Sequence, residues 1–310
     1  MIRARRRRSR TWRRFGSATV PYLLLLPVVI VIGGLLGYPI YSLVRLSFQQ
    51  YGLFELVQHK GRYIGLHNFE SVLHDKVFWH TLFRTIVFTV ANVGLTMVGG
   101  TLIALLLVRV SMWARIMLTA GLVLVWSMPQ VVAVEIWNWM TNYQNGVISY
   151  VLTELRFGDY FHHDWLGTPL SQLGLVTALV VWGALPFVAI TVFAALSQVP
   201  KDLIEAAEID GARGVRVFFD VTVPILKPVL LILTSLSILW DFGVFTQPFL
   251  LIGQAHLGPS NYLMGVYLYE EGYLRTDFGR GAAISILMLV IVAAMSIVYI
   301  RRMVRMGETD

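Results

Sequence analysis

Residues 205–228 read EAAEIDGARGVRVFFDVTVPILKP, and the rest of the chain can be organised around them. This is the longest polar run between two strongly apolar blocks. Pro200 suits the first turn of a helix, since its missing N–H would have no partner there. Gly211 can adopt the positive φ that ends a helix. The stretch therefore predicts two short helices joined at a glycine, although spacing alone allows an ordinary helical linker equally well.

Composition places this loop in a membrane protein. The chain has 310 residues, of which 56% are hydrophobic and 14% charged, whereas about 25% are charged in a typical soluble domain. Its mean hydropathy is +0.67. There is no cysteine, which excludes disulfides, thiol catalysis and Cys-based metal sites.

Six apolar segments are long enough to cross a bilayer as helices, which takes about 20 residues. They cover residues 20–46, 82–108, 116–140, 173–195, 224–250 and 281–300. We therefore predict an all-α, polytopic membrane protein with six transmembrane helices. An even number of spans puts both termini on one side, and 17 of the 25 Lys and Arg residues fall on that side. Both termini and the loop around Gly211 are accordingly predicted to be cytoplasmic.

The N-terminal segment 1–19 carries eight arginines, and the whole chain has a net charge of +7. An apolar block follows at once, so this segment is predicted to be a cytoplasmic topology signal lying against acidic lipid headgroups, with no nucleic-acid partner. Residues 20–300 then form the membrane domain, and residues 301–310 a short cytoplasmic tail.

The loop resembles the EAA loop of ABC importer permeases. In that family EAA is followed by three residues, Gly, nine residues, Ile, one residue and Leu-Pro. Here Glu205-Ala206-Ala207, Gly211, Val221 and Val223-Pro224 occupy those positions. The sugar-importer branch of the family, of the binding-protein-dependent maltose type, is further resembled at Asp210-Gly211-Ala212, Trp240-Asp241-Phe242 and Asp277-Phe278-Gly279. Within that branch the resemblance is to actinobacterial disaccharide or chito-oligosaccharide permeases.

This resemblance implies a non-enzymatic permease subunit of an ATP-driven sugar importer in a bacterial cytoplasmic membrane. Its partners would be a second homologous permease, a dimeric ABC ATPase, an extracellular solute-binding lipoprotein, the sugar and membrane lipid, with no cofactor. The loop 196–224 would be a cytoplasmic helix-turn-helix that couples to the ATPase. Its coupling residues would be Glu205, Ala206, Ala207, Asp210, Gly211 and Pro224.

Polar and aromatic residues within the spans are the candidates for the substrate pathway. Charge at membrane depth is expensive and usually faces a cavity or a partner, and a sugar needs aromatic faces beside hydrogen-bonding groups. The candidates are Glu135, Asn138, Trp182, Asp241, Phe245 and Gln247. Gly243 and Pro248 are expected to loosen the fifth span. Gly183 and Pro186 predict either an interrupted fourth span or a packed kink.

Other chemistry finds less support. There is no glycine-rich phosphate loop followed by Lys-Ser or Lys-Thr, so ATP would bind to another chain. The adjacent pair His162-His163 lacks a nearby third ligand, and no metal site is predicted. Two alternatives remain: a membrane enzyme acting on lipid-linked sugars, with Glu135 and Asp241 as acid and base, and a transporter that moves sugar with protons through Asp241. The sequence does not indicate which sugar.

Overall fold

The computed structural model describes residues 10–254 and 256–307, and within those ranges the regular secondary structure is helical apart from one short antiparallel pair of strands. The strands are β1 (Gln49–Gln50) and β2 (Arg62–Tyr63). The helices are α1 (Arg10–Ser47), α2 (Leu53–Gln58), α3 (His67–Leu73), α4 (Lys76–Arg109), α5 (Met112–Trp126), α6 (Gln130–Met140), α7 (Val147–Glu154), α8 (Pro169–Leu196), α9 (Lys201–Ile209), α10 (Val215–Val217), α11 (Val223–Phe242), α12 (Thr246–Ile252), α13 (Met264–Tyr269) and α14 (Phe278–Gly307). Two π-helical segments, Phe218–Thr222 and Glu270–Leu274, precede α11 and follow α13. The all-α prediction is confirmed; parts of the predicted cytoplasmic ends, residues 1–9 and 308–310, lie outside the described residues.

Within the described ranges, five helices are long and apolar enough to cross a bilayer. They cover Tyr22–Ser47, Lys76–Arg109, Pro169–Leu196, Val215–Phe242 and Phe278–Ile297. The helices α5 and α6 supply a sixth crossing when they are taken together, although they are bent by 101°. The predicted number of six is therefore reached with one broken span.

The third predicted span, 116–140, is wrong as a single straight helix. Helix α5 ends at Trp126 and α6 begins after Pro129. Proline has no N–H to donate to the carbonyl four residues earlier, which here belongs to Val125, and it disfavours helical backbone in the residue before it. Met128 N donates to that Val125 carbonyl instead, at 3.2 Å, and closes a tight turn.

The helix-breaking residues of the fifth and fourth spans have different effects on the helices that contain them. The fifth span, predicted over 224–250, ends at Phe242 with Gly243 as its cap, so the expected loosening at Gly243 is confirmed. Pro248 lies inside α12 and breaks nothing. In the fourth span Pro186 is buried inside α8, which continues to Leu196. The packed alternative is therefore the observed one.

Helices α4, α8 and α11 pack together through small residues. A Cβ atom on Gly100 of α4 would lie 2.6 Å from Cγ1 of Val188 in α8, so only glycine allows this approach. Ala104, Val188 and Leu233 are each at most 1% exposed and belong to one apolar cluster shared by the three helices. In contrast, α1 packs mainly against α14, and its span is exposed except in its last turns, where Ser47 is buried.

A partly buried ionic cluster joins the ends of several helices away from this contact. The Arg280 guanidinium places Nη2 2.5 Å from Asp75 Oδ2 and Nε 2.9 Å from Glu271 Oε2. The second of these is an ion pair without hydrogen-bond geometry. Arg275 Nη1 contacts the other Glu271 oxygen at 2.9 Å, and the Tyr267 hydroxyl donates to Asp75. Burial raises the pKa of Glu271 above its ordinary value, against the opposing effect of the two arginines.

Candidate functional site

The loop that contains the Glu-Ala-Ala sequence begins with a helix that is capped at its C-terminal end. Helix α9 starts directly after Pro200 and ends at Ile209. Gly211 has φ +90°, its N–H donates to the Glu208 carbonyl, and Ala212 N–H donates to the Ala207 carbonyl. These two bonds form a Schellman motif, which places glycine in the left-handed region one residue after the C-cap. The predicted role of Gly211 in ending the helix is confirmed.

The second half of the loop runs without interruption into a membrane helix. Gly214, with φ +52°, turns the chain, and Phe218 N–H bonds back to its carbonyl. From Val215 to Phe242 the backbone remains helical, passing through the π-helical segment just before Pro224. A π-helical turn inside an α-helix is a local widening that is often found at functional sites. The second half of the loop is thereby a helical extension of the fifth span.

One face of the loop packs on the protein and the other is free. Ile204 is partly buried against the apolar cluster of α8 and α11. Glu205 is exposed, whereas Ile209, Val215 and Phe219 are exposed by 87%, 73% and 60%. These three exposed apolar side chains belong to one loop, and a contiguous apolar surface there would suit contact with another protein. The sequence identified the acidic residues of this loop, and its exposed apolar residues were missed.

No hydrogen bond or aromatic contact among the described residues joins all six predicted pathway residues. Trp182 meets Trp137 edge to face, with ring centroids 6.1 Å apart, and this contact joins α8 to α6. Glu135 is exposed, while Asn138 and Gln247 are half-buried. Their role in binding a substrate stays a prediction.

Asp241 is the most enclosed of these candidates. It is 6% exposed near the end of α11, and Ser237, one turn earlier, is equally buried. Helix α11 packs against α4, α8 and α14, so the carboxyl group lies inside the chain and not on its open face. Within the described residues no hydrogen bond or ion pair reaches this carboxylate.

A row of three aromatic rings was missed at the sequence level. Trp126, at the end of α5, stacks on Phe187 of α8, with centroids 5.9 Å apart and planes at 20°. Phe187 meets Trp240 of α11 edge to face at 5.4 Å. Both tryptophans are more than half exposed. The row lies beside the break in the third span, and the signal for it was Trp240 next to Asp241 and Phe187 next to Pro186.

A second aromatic group surrounds the predicted residue Phe245. Phe245 stacks on Phe249 at 4.9 Å, and both rings contact Tyr269, at 5.1 and 5.0 Å. Tyr273 stacks on the other side of Tyr269 at 5.1 Å. This group lies between α12 and the second π-helical segment, beyond the end of the fifth span, and it is separate from the row around Phe187.

Across residues 10–254 and 256–307, no three His, Cys, Asp or Glu side chains are grouped closely enough to hold a metal ion. His162 packs against Tyr143 and His163 against Trp165, so the two imidazoles contact different aromatic rings.

Comparison with known proteins identifies transport permeases along nearly the whole chain. The family model for the binding-protein-dependent transport system inner membrane component matches residues 96–305. The chain is 39% identical over 305 residues to the diacetylchitobiose uptake system permease protein DasB of Streptomyces coelicolor, covering 98% of this chain and 92% of that protein. It is 31% identical over 289 residues to the trehalose/maltose transport system permease protein MalF of Thermococcus litoralis, covering 93% and 95%.

The fold is also found in a solved transporter. A crystal structure of a bacterial ABC transporter involved in the import of the acidic polysaccharide alginate contains a chain that matches with a TM-score of 0.79. The match covers 95% of this chain and 98% of that one, at 18% identity, and at that identity it shows a common fold alone.

Proposed function

Because the chain belongs to the family of inner membrane components of binding-protein-dependent transport systems, we propose that it is one of two membrane subunits of an ATP-driven sugar importer. It is a transport permease and not an enzyme. The observation that carries the proposal is the capped loop with an exposed outer face and a continuous helical connection to the fifth span.

The loop couples this subunit to a dimeric ABC ATPase. Glu205 pairs with a basic residue in a groove of the ATPase, and the exposed apolar side chains of Ile209, Val215 and Phe219 fill that groove. ATP then favours one state of the membrane domain through the contacts that differ between states. Movement of the loop reaches the membrane because residues 215–242 are one helical body.

The orientation follows the distribution of positive charge. Both termini and the loop lie in the cytoplasm, since Lys and Arg are concentrated there. The segments 141–168 and 251–277 then face outward, where an extracellular solute-binding lipoprotein delivers the sugar. A second, homologous permease covers part of the exposed apolar surface of α1 and α5, and lipid covers the remainder.

The sugar passes along the face that carries the aromatic row of Trp126, Phe187 and Trp240. Three rings from three spans offer apolar surfaces on which pyranose rings can slide without strong binding. The class of substrate is supported by the relatives that are named for the uptake of diacetylchitobiose and of trehalose and maltose. Asp241 and the other polar candidates supply hydrogen bonds when the spans rearrange.

Gly211→Val tests the coupling. A Cβ at residue 211 would meet nothing within 4 Å, so the substitution acts through backbone strain at φ +90° and not through a clash. The complex should assemble in the membrane but hydrolyse ATP without taking up sugar. The measurement is uptake of radiolabelled sugar per ATP hydrolysed, in vesicles that contain the complex and its binding protein.

The matched control is Gly174→Val. Gly174 lies in α8, where a Cβ would also meet nothing within 4 Å but the backbone is ordinary helix. Its coupling ratio should equal that of the unmodified chain. Normal coupled uptake in Gly211→Val would overturn the assignment of the loop, and uptake that is indifferent to ATP would overturn the importer itself.

A further inference from the structure

A small cavity lies beyond the membrane-spanning helices, between α12 and the π-helical segment after α13. Its volume is about 150 Å³. Its lining includes Phe249, Gln254, Tyr262, Tyr269 and Glu270, and aliphatic side chains complete the wall. The cavity therefore combines three aromatic rings with one carboxylate and one amide, and none of these residues belongs to the coupling loop or to the aromatic row.

The aromatic wall is held in place before any ligand binds. Phe249 and Tyr269 meet at 66° with centroids 5.0 Å apart, and each is stacked from behind, by Phe245 and Tyr273. Tyr262 is 5% exposed and belongs to a buried apolar cluster. Rings that are already fixed lose little conformational entropy on binding.

The polar groups suit a neutral, hydroxylated ligand. Glu270 Oε1 lies 3.6 Å from Arg275 Nε, and the side chain is 25% exposed, so its oxygens can still accept O–H donors. The Gln254 amide supplies both a donor and an acceptor. A pyranose ring carries hydroxyls around an apolar face and matches this combination. Glu270 disfavours phosphate or carboxylate groups, and Arg275 beside it offsets part of this repulsion.

The volume restricts the ligand to a single ring. A space of about 150 Å³ can accommodate one six-membered ring such as benzene, and because this cavity is partly open, the exocyclic groups of a pyranose can extend into its opening. A second sugar ring would have to remain outside the opening.

We propose that this cavity is a subsite for one pyranose ring of a neutral sugar, located at the outer end of the chain. The proposal rests on the proposed function for its orientation and for the class of sugar. The subsite holds one terminal ring of the arriving sugar, while the remaining rings stay outside the opening of the cavity.

The test is binding of sugars to the purified full-length chain in lipid nanodiscs. Saturation-transfer NMR is recorded with diacetylchitobiose, maltose and trehalose, and with N-acetylglucosamine as the single-ring probe. Transfer should concentrate on one ring of the bound disaccharide. Tyr269→Leu removes an aromatic face and should weaken binding about tenfold, the effect of losing roughly 1.4 kcal/mol.

The control is Tyr143→Leu, which removes an exposed tyrosine from another outer segment and should leave binding unchanged. Should Tyr269→Leu fail to fold, Gln254→Ala replaces it, since Gln254 is exposed and its loss does not disturb packing. The proposal is overturned if no probe shows transfer, or if the cavity variants and the control bind equally. A separate measurement of uptake distinguishes the subsite from the importer. ATP-driven uptake with no sugar binding in the cavity would overturn the subsite alone. Sugar binding in the cavity with uptake that does not depend on ATP would overturn the importer alone.

Discussion

Arg280 is the residue on which the stability of the ionic cluster depends. Its guanidinium lies between Asp75 and Glu271, and Glu271 is only 4% exposed. Removing Arg280 leaves the buried charge of Glu271 without its nearest partner, at a cost of up to about 3–5 kcal/mol, the range for fully buried pairs. Arg280→Met should therefore lower the melting temperature of the purified chain by several degrees. Arg275→Met is the control, because Arg275 is 57% exposed and its pair should contribute no more than about 1 kcal/mol.

The effect of Arg280→Met should depend on pH. Burial already raises the pKa of Glu271, and loss of the nearby arginine raises it further. A group whose pKa is raised on folding contributes stability below its unfolded pKa, and that contribution is lost as the pH rises through its folded pKa. The stability deficit of the variant relative to the original chain should thus be smaller near about pH 5 than near pH 8. An equal deficit at both values would show that Glu271 does not respond to the missing charge.

Two acidic residues of α9 separate specific pairing from general charge. Glu205 and Glu208 are both exposed and lie three residues apart on the same helix. If Glu205 pairs with a base of the ATPase, Glu205→Gln should reduce stimulation of ATPase activity by the membrane domain, whereas Glu208→Gln should change it little. The measurement is ATP hydrolysis by the assembled complex at low and high salt. Equal losses in the two variants would assign the effect to net charge.

At the scale of elements, α4 carries a buried polar stripe that nothing in its hydropathy indicates. Thr81, Thr85, Thr89, Asn92 and Thr96 follow one another at spacings of three or four residues, and none is more than 1% exposed. Such spacing places them on one helical face. In the described chain, the hydroxyls of Thr81, Thr89 and Thr96 have no hydrogen-bond partner.

Two threonines of this stripe should respond in opposite ways to replacement by valine. The Thr85 hydroxyl donates to the Thr81 carbonyl at 2.8 Å and accepts from Met264 N at 2.9 Å, so Thr85→Val leaves a buried N–H unpaired and should cost about 1–3 kcal/mol. Thr89→Val removes a hydroxyl that has no such bond and should be neutral or stabilising. Thermal unfolding of both variants in one detergent decides the matter, and an equal loss would contradict it.

Helix breakers show how far the sequence determines these elements. The break before Pro129 follows a local rule, because proline has no N–H to donate. It was nevertheless not predicted, because the apolar residues run on through it. Pro186 breaks nothing, because it is buried in α8 and tertiary packing holds the helix together. The cap at Gly211 could be read from local rules, since its two hydrogen bonds join residues of the same loop. The aromatic row could not, because its rings come from three separate spans.

For the whole molecule, the proposed orientation in the membrane is the premise that would connect the loop around Gly211, the aromatic row and the cavity beside Tyr269 into one pathway. Lys and Arg are concentrated at the two ends of the chain and in the loops that join the second to the third and the fourth to the fifth spans. The positive-inside rule then places those loops in the cytoplasm. This inference uses neither the Glu-Ala-Ala pattern nor any relative. A measurement of orientation therefore tests the inference from charge and the proposed coupling role of the loop at the same time.

The absence of cysteine from the sequence makes that measurement direct. Ser111, between α4 and α5, and Ser260, between α12 and α13, are both exposed, and either can be replaced by the similarly sized cysteine. A membrane-impermeant maleimide applied to intact cells should label Ser260→Cys and not Ser111→Cys, whereas permeabilised cells should show both. The reversed pattern would place the loop around Gly211 outside the cell, where no ATPase could reach it, and the coupling mechanism and the outer sugar subsite would fall together.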